Sequence, residues 1–359
     1  MKTLKQMTTM KCLLGLVFLF NMHVVYAQGF SDLISDGIKA FDSGDYNEAL
    51  IHYEKALKID PNSSLVNYEI AYTYTALKDY KKAIEHCNKV IAKDDEHLKM
   101  ALVIKGSCLD YLDQPKKSVS VYKKAIKKFP DDYLLRFNLG VTYQKMKAIS
   151  EAEKQFFEAL RCNYNHSSSH YLLGIAMYET DRRTKSLVAL YNFLLLENDT
   201  KRSAMAKEVI NGFQTSKITE NEEGHKVINV SLPASKSKRK KGKEKDEDMF
   251  EQMNAMISSL SDVLDSNKTV LEIRVEKNKR LFKSLSGELV NKKSKWTTFY
   301  YDFFTEINNQ NYTEAFTYHV FRLDYPEEFE QWKKEHDVSY SEFLKWLKVH
   351  MLRENLNIK

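Results

Sequence analysis

Glycine and proline are scarce in this chain, with 11 and 5 among 359 residues. A turn-rich all-β fold needs many of both, so their scarcity favours helices. Cysteine is scarce too, and beyond the first one the widely spaced Cys87, Cys108 and Cys162 remain. Such a pattern is not a disulfide framework, and we expect these thiols to be free and buried.

A long apolar run is also missing from the start of the chain. Cys12–Phe20 (CLLGLVFLF) is nine residues long, far short of the roughly 20 that a spanning helix needs. Three lysines precede it and the small residue Ala27 follows, which is typical of a secretory signal peptide cleaved before Gln28. We therefore expect residues 1–27 to be a signal peptide that directs the protein to the periplasm or bacterial cell envelope. Secretion and an uncleaved anchor are the alternatives.

The chain lacks a general excess of positive charge, although its formal net charge is +6. The run KSKRKKGKEKDED (236–248) holds seven basic and four acidic residues, and the expected signal peptide holds three lysines. The remainder is therefore close to neutral, which argues against a nucleic-acid partner. Few apolar residues surround this run, so we expect 217–248 to be a charged flexible linker. The alternative is that the linker binds an anionic polymer or lipid, which would give peripheral envelope association.

Small residues recur at a fixed spacing through the first half of the chain. Steps of 34 or 35 residues separate the members of three series: Gly37, Ala71, Gly106, Gly140, Gly174; Ala49, Ala83, Ser118, Ala152, Ser186; and Ala56, Val90, Ala125, Ala159, Phe193. Two helices approach closely only where side chains are small, and polar turns separate the first series from the second. The pattern predicts five helix pairs that stack and share one continuous core.

The segments DSGDYNEALIHYEKALKIDPNS (42–63) and LKDYKKAIEHCNKVIAKDD (77–95) resemble the tetratricopeptide repeat. The resemblance covers residues 30–198 and weakens in the fifth unit, where Phe193 occupies a small-residue position. It implies an all-α, right-handed helical solenoid, here residues 30–216 with a capping helix at 203–215. It also implies that the first helix of each pair lines a concave groove for a peptide or a partner helix.

Ten side chains are placed in this groove by the resemblance: Ile34, Ile38, Phe41, Tyr68, Tyr72, Tyr111, Phe137, Asn138, Tyr171 and Tyr178. One subclass of the family grips a C-terminal carboxylate with Lys, Asn and Arg, but this chain has Ile34 and Ile38 in its first unit, so we do not expect that clamp. A ladder of Tyr and Phe suits an apolar or proline-rich extended segment, or an amphipathic helix. The alternative for each aromatic is simple packing between repeats.

Residues 249–359 lack the repeat, and we expect them to form a C-terminal helical domain. The helix that opens this region should pack onto the rest of the domain through one methionine-rich face, with partner binding by this face as the alternative: Met249, Met253, Met256, Ile257, Leu260 and Leu264. Three tryptophans are expected to share a core rather than a ligand pocket: Trp296, Trp332 and Trp346. The segment NNQNYTEAF (308–316) resembles the repeat turn DSGDYNEAL (42–50), which predicts a degenerate helix pair.

Motifs for catalysis or cofactors are missing from the sequence, which has no phosphate-binding glycine loop, HExxH or nucleophile elbow. Cys162, His166 and His170 are spaced like metal ligands, but they lack a fourth ligand and straddle a turn, so no metal site is predicted. We expect a non-enzymatic scaffold that binds a protein or peptide and needs no cofactor. The rival hypothesis is an enzyme with catalytic groups near His319 or His336 and repeats that recruit the substrate.

Overall fold

The computed structural model describes residues 28–214, 217–220, 226–229, 249–256, 268–288 and 290–351. The predicted signal peptide and most of the predicted linker lie outside these ranges. The chain divides into two compact units, with unit 1 running up to Met146 and unit 2 starting at Lys147. Within the described ranges, no helix has the length and apolar character that crossing a membrane requires.

Unit 1 is a stack of helices that alternate in direction, each packed on the next. The described helices are α1 (28–42), α2 (Tyr46–Ile59), α3 (Ser64–Ala76), α4 (Tyr80–Lys93), α5 (Leu98–Tyr111), α6 (Pro115–Lys128) and α7 (Tyr133–Lys145). The first helices of successive pairs also touch one another, α3 with α5 and α5 with α7. This arrangement buries a continuous core between the pairs, as the repeat predicts.

The small-residue positions are where the two helices of a pair meet. A Cβ added to Gly37 would lie 2.4 Å from the ring of Tyr53, and one added to Gly106 would lie 2.3 Å from the ring of Tyr122. Both rings come from the returning helix and are buried. The physical reason given for the glycine series is therefore confirmed at these two positions.

The turn inside each pair has a fixed geometry. One residue per turn adopts a positive φ, at steps that follow the repeat: Gly44, Lys78, Asp113, Lys147 and Asp181. In the first turn the Asp45 N–H donates to the Ala40 carbonyl oxygen at 2.9 Å, which closes α1. The Asp45 side chain then accepts a hydrogen bond from the Glu48 N–H at 3.1 Å and caps α2.

Unit 2 continues the repeat and then departs from it. Its described elements are α8 (Ile149–Cys162), α9 (Ser167–Glu179), α10 (Arg183–Leu196), α11 (Lys201–Gln214), β1 (Lys217–Glu220), β2 (Lys226–Asn229), α12 (249–256), α13 (Val270–Ser284), the π-helical segment Thr297–Tyr301 that leads into α14 (Asp302–Asn309), α15 (Thr313–Phe321), α16 (Pro326–Glu335) and α17 (Asp337–Met351). The two strands pair antiparallel, with Lys217 opposite Asn229. Helices α1–α10 lie at the predicted places of the five repeats along the chain, and α11 coincides with the predicted capping helix.

Helix α10 is buried on every side, unlike the second helices of unit 1. The hydroxyl of Tyr191 donates to Asn278 Oδ1 of α13 at 2.8 Å. The Tyr191 ring also lies 5.4 Å from the ring of Phe316 in α15 and 6.2 Å from that of Phe282 in α13. The C-terminal helices therefore pack directly on the last repeat, and both belong to one compact unit. The predicted domain limits, 30–216 and 249–359, concern independent folding and stay a prediction.

The packing predicted for the methionine-rich face is wrong for its three methionines in α12, while Ile257, Leu260 and Leu264 lie outside the described residues. Three methionines of this helix are exposed: Met249, Met253 and Met256. The buried side carries Glu251, whose carboxylate accepts hydrogen bonds from the Thr184 N–H at 2.7 Å and the Lys185 N–H at 3.4 Å. A carboxylate that caps the N-terminus of α10 fixes which side of α12 faces inward, and the methionines are left on the other side.

The expected common core holds for two of the three tryptophans, since Trp332 and Trp346 are connected by ring contacts through Tyr340, Phe343 and Tyr312. Trp296 packs edge-on against Phe157 of α8, with ring centroids 5.1 Å apart. The other two stack elsewhere: Trp332 on Tyr318 at 4.4 Å and Trp346 on His350 at 4.0 Å. Trp296 belongs to the contact with the repeats, which the sequence did not predict.

The degenerate pair predicted around residues 308–316 is present as α14 and α15. The Tyr312 N–H donates to the Ile307 carbonyl oxygen at 2.9 Å, and Asn311 has a positive φ, as in the repeat turns. Asn311 thus takes the place of Gly44, one residue away from the predicted match. At the two positions where the repeats have small residues, this pair has Phe304 and Phe316. Both rings are wholly buried, and their centroids are 5.6 Å apart.

Candidate functional site: the groove face of unit 1

We call groove face the side of α1, α3, α5 and α7 on which eight of the ten predicted groove residues lie. Ring contacts connect the successive first helices on this side. Phe41 of α1 lies 5.0 Å from Tyr72 of α3, and Tyr68 of α3 stacks at 5.9 Å on His97, the residue before α5. The aromatic side chains thus form a continuous row from the first repeat to the third.

Exposure divides these eight residues into three groups. Ile38, Tyr72 and Tyr111 are exposed, with 39%, 45% and 64% of their surface in contact with water. The half-buried members are Phe41, Tyr68, Phe137 and Asn138. Ile34 is buried and belongs to the packing beneath the face. A binding role for all of them stays a prediction.

The most exposed member, Tyr111, is held in place by a neighbour. Its ring stacks on that of Tyr80 from α4, with centroids 4.8 Å apart and planes 15° from parallel. A stacked ring has fewer conformations to lose when a partner covers it. Tyr111 therefore presents a preformed apolar surface with a hydroxyl group at its edge.

Glu69, which lies between Tyr68 and Tyr72, is a polar member of this face that the sequence analysis missed. Its carboxylate is half-buried and makes no hydrogen bond or ion pair within the part of the chain that the structure describes. Burial raises the pKa of the Glu69 carboxyl, and the nearby carboxylate of Asp42 raises it further. The sequence signal was a lone acid between two predicted groove tyrosines.

Tyr53, behind the groove face, is wholly buried and its hydroxyl has no partner within the described residues. The equivalent Tyr122 of the third repeat donates to the Val103 carbonyl oxygen at 3.2 Å and lies 2.9 Å from Ser107 Oγ. Ile38 stands where the third repeat has Ser107, so Tyr53 lacks this partner. The pKa of Tyr53 is raised by burial and by the charges of Glu69 and Asp42.

Two tetratricopeptide repeat family models match the chain, over residues 40–102 and 100–132. These ranges contain α2–α6 and the contact between Gly106 and Tyr122 described above. The chain contains tetratricopeptide repeats over these residues.

Individual relatives match about half of this chain or less. A tetratricopeptide repeat-containing protein of Methanocaldococcus jannaschii is 26% identical over 44% of this chain and 27% of its own length. The type IV pilus assembly protein PilF of Pseudomonas aeruginosa is 25% identical over 40% of this chain and 57% of its own length. A solved structure of Pseudomonas aeruginosa PilF aligns with 53% of this chain and 86% of that chain, at 21% identity and a TM-score of 0.46. The chain thus spans less than two thirds of these curated relatives.

The fifth tetratricopeptide repeat, in unit 2, presents a more closed face. Tyr171 is buried, its hydroxyl points to Met205 Sδ of α11 at 3.8 Å, and the guanidinium of Arg202 lies 5.6 Å from its ring. Tyr178 remains 48% exposed beside Phe213 of α11, at 5.4 Å. Helix α11 therefore covers part of the surface on which both residues were predicted to bind a partner.

The histidines considered as ligands or catalysts lie in packed surroundings. His170 is wholly buried between the Tyr300 hydroxyl and the Tyr164 carbonyl oxygen, each 2.7 Å away, and burial lowers its pKa to about 4. His319 Nδ1 lies 2.8 Å from the Tyr340 hydroxyl, and burial lowers its pKa to about 4 as well. Neither His319 nor His336 contacts a carboxylate in the described ranges. The non-enzymatic assignment stays a prediction.

The three cysteines of the described residues differ in burial. Cys87 and Cys108 are free and wholly buried, as predicted, whereas Cys162 is only half-buried. Among the described residues, no three metal-ligating side chains cluster. The ring nitrogens of His170 are both used by the fold, which explains the ligand-like spacing of Cys162, His166 and His170 without a metal.

Proposed function

We propose that the groove face of unit 1 binds an extended or helical segment of a protein partner, and that the protein acts as a scaffold. The observation that carries this proposal is the row of linked aromatic rings that includes the exposed Tyr72, together with the exposed Tyr111, whose ring is held by Tyr80. Rings of this kind supply contact area at little cost in conformational entropy. A solenoid groove is also the usual binding surface of repeat proteins. The scaffold role needs no catalytic group.

The proposal is tested by removing both exposed rings. In the double variant Tyr72→Ala, Tyr111→Ala we expect the loss of two anchors to weaken partner capture by at least about tenfold, since each anchor contributes about 1 kcal/mol or more. The measurement is affinity capture of the mature protein's partners from its native cells, followed by quantitative mass spectrometry. The matched control is Ile51→Ala, an exposed apolar residue of α2 that lies off the groove face.

Thermal unfolding separates loss of binding from loss of fold. Exposed side chains contribute little to packing, so the double variant should keep a melting curve close to that of the wild type. Capture equal to wild type, with an unchanged melting curve, would count against the groove face as the binding surface.

We also propose that the protein is exported to the periplasm or cell envelope. The support is the sequence of residues 1–27, with lysines before a nine-residue apolar run and Ala27 before Gln28. Mass spectrometry of the native protein's N-terminus is expected to find Gln28 as the first residue. A chain that retains residues 1–27 and fractionates with the cytoplasm would contradict this proposal.

A further inference from the structure

The charges of unit 1 are unevenly divided between its groove face and its second helices. Five positions of each first helix belong to the groove face. In α3 they are Tyr68, Glu69, Tyr72, Thr75 and Ala76. At these positions of α1, α3, α5 and α7, four side chains are charged: Asp42, Glu69, Asp110 and Lys145. Helix α6 alone carries six lysines and no acid. The groove face is thus acidic, although the unit around it contains many cations.

The one lysine of the groove face is already engaged. Lys145 Nζ donates to the Asp110 carbonyl oxygen at 2.5 Å and lies 3.6 Å from Asp113. The carboxylate of Asp110 accepts a hydrogen bond from Thr142, while its Oδ1 is buried without a partner in the described residues. No cation of the described chain is therefore placed to neutralise Glu69.

The neighbours of Glu69 include aromatic rings and polar groups that lack hydrogen-bond partners within the described residues. Its helix neighbour three residues on, Tyr72, contacts Phe41, and Asp42 follows Phe41 in the chain. The buried hydroxyl of Tyr53 lacks the partner that Tyr122 has, and burial and the charges of both acids raise its pKa. Aromatic faces beside a half-buried carboxylate attract a guanidinium or ammonium group in two ways, through the rings and through the charge. An anionic or purely apolar segment would leave the carboxylate uncompensated.

We propose that the partner segment bound by the groove face is basic, and that one of its Arg or Lys head groups pairs with Glu69 beside the rings of Phe41 and Tyr72. This inference rests on the proposed function, because it names the chemistry of the segment that the groove face would take. The second acid, Asp42, adds to the attraction from the exposed end of α1.

The experiment compares two synthetic peptide mixtures on the full-length protein. Both are acetylated and amidated nonapeptides with randomised Ala, Leu, Ser and Tyr around a fixed centre, which is Arg in one mixture and citrulline in the other. Citrulline keeps the shape of Arg and removes its charge. We expect the Arg mixture to bind about tenfold more tightly than the citrulline mixture, as a charge-assisted pair in a half-buried site would give. Fluorescence anisotropy at low ionic strength measures both affinities.

Variants of the protein assign the difference to Glu69. Glu69→Gln should remove most of the preference for Arg and leave citrulline binding unchanged, whereas Asp42→Asn should reduce the preference about threefold because Asp42 is exposed and screened. The matched control, Glu54→Gln on the outer side of α2, should change neither affinity. A melting curve for each variant identifies any loss of fold.

The outcomes separate this inference from the proposed function. Equal affinity for the two mixtures, or an Arg preference that survives Glu69→Gln, overturns the cationic partner. If Tyr72→Ala still weakens both mixtures in that case, the groove face remains the binding surface. If neither mixture binds at about 1 mM, weaker than a single specific anchor would give, both ideas are overturned.

Discussion

The outer side of the second helices is exposed in unit 1 and buried in unit 2. A single repeat position shows this difference. Three repeats place exposed polar residues there, Glu54, Asn88 and Lys123, whereas the next two place buried aromatic ones, Phe157 and Tyr191. In the first three repeats, water covers this side. In the last two, the C-terminal helices cover it. The same helix pair thus serves as an exposed scaffold in unit 1 and as part of a shared core in unit 2.

The comparison also applies to the opposite side of the repeats. Unit 1 leaves Tyr72 and Tyr111 exposed on its groove face, while in unit 2 helix α11 covers Tyr171. The last repeat of unit 2 is therefore covered by its own chain on the outer side and, at Tyr171, on the groove side, while Tyr178 stays 48% exposed. This contrast is the reason for placing partner binding on unit 1.

The largest loss of stability should come from truncating Tyr191, the buried residue at this repeat position. Tyr191→Ala removes a ring that packs against Phe282 and Phe316 and leaves Asn278 without its donor, so it should cost about 3–5 kcal/mol of unfolding free energy. The equivalent Lys123→Ala in unit 1 should change stability by less than about 0.5 kcal/mol, because Lys123 is exposed.

Urea unfolding followed by tryptophan fluorescence measures the Tyr191 effect. The chain has 3 tryptophans, and all of them lie in unit 2, so the signal reports that unit. Circular dichroism follows the helices of both units and serves for Lys123→Ala. Similar losses for the two variants would remove the distinction between the covered and the solvated side.

The second largest effect should be a loss of stability of unit 2 in mild acid, caused by His170. The pKa of His170 is lowered by burial to about 4 in the fold, from about 6.5 in an unfolded chain. Between these values the unfolded chain binds more protons, so stability falls as the pH is lowered. The loss at pH 5 relative to pH 7 should be about 2 kcal/mol for this residue, and His319 adds to it in the same direction.

The variant His170→Gln isolates this contribution. A glutamine can accept from the Tyr300 hydroxyl and donate to the Tyr164 carbonyl oxygen, yet it carries no titrating proton. Its tryptophan-detected stability should therefore depend less on pH between 7 and 5 than that of the wild type. An identical pH dependence in both proteins would show that His170 is not the cause.

A smaller effect is expected at the helix caps of unit 1. Asp45 accepts a hydrogen bond from the Glu48 N–H at the start of α2, so Asp45→Ala should cost about 1 kcal/mol. Gln114, the residue before α6, makes no capping bond, and Gln114→Ala should have almost no effect. Hydrogen exchange measures both effects, in α2 for Asp45→Ala and in α6 for Gln114→Ala. Equal changes in exchange rate relative to the wild type would contradict the role given to Asp45.

Much of the repeat architecture was predictable, because its causes are local. The glycine series reports close contact between neighbouring helices, and the polar turns report where each pair reverses. The covering of α10 was not predicted, because helical periodicity shows that a face is apolar without showing what packs on it. The change from Lys123 to Phe157 and Tyr191 was the available signal.

The candidate site was predicted less completely than the fold. The aromatic row was identified from residue type and repeat position, yet burial removes Ile34 and Tyr171 from the exposed surface. Glu69 was missed because its importance depends on what surrounds it: a buried hydroxyl without a partner and no cation nearby. Such an environment is a property of the packed repeats.

Site-specific photo-cross-linking tests the central claim most directly. The full-length protein is produced in its native cells with p-benzoylphenylalanine replacing Tyr72, Tyr111, Ile51 or Val338 in turn, all four being exposed residues. We expect a covalent adduct with a protein partner from positions 72 and 111, and none from position 51 on the outer side of α2 or position 338 in α17. Adducts from position 338 alone would place partner binding on the C-terminal helices and contradict the account.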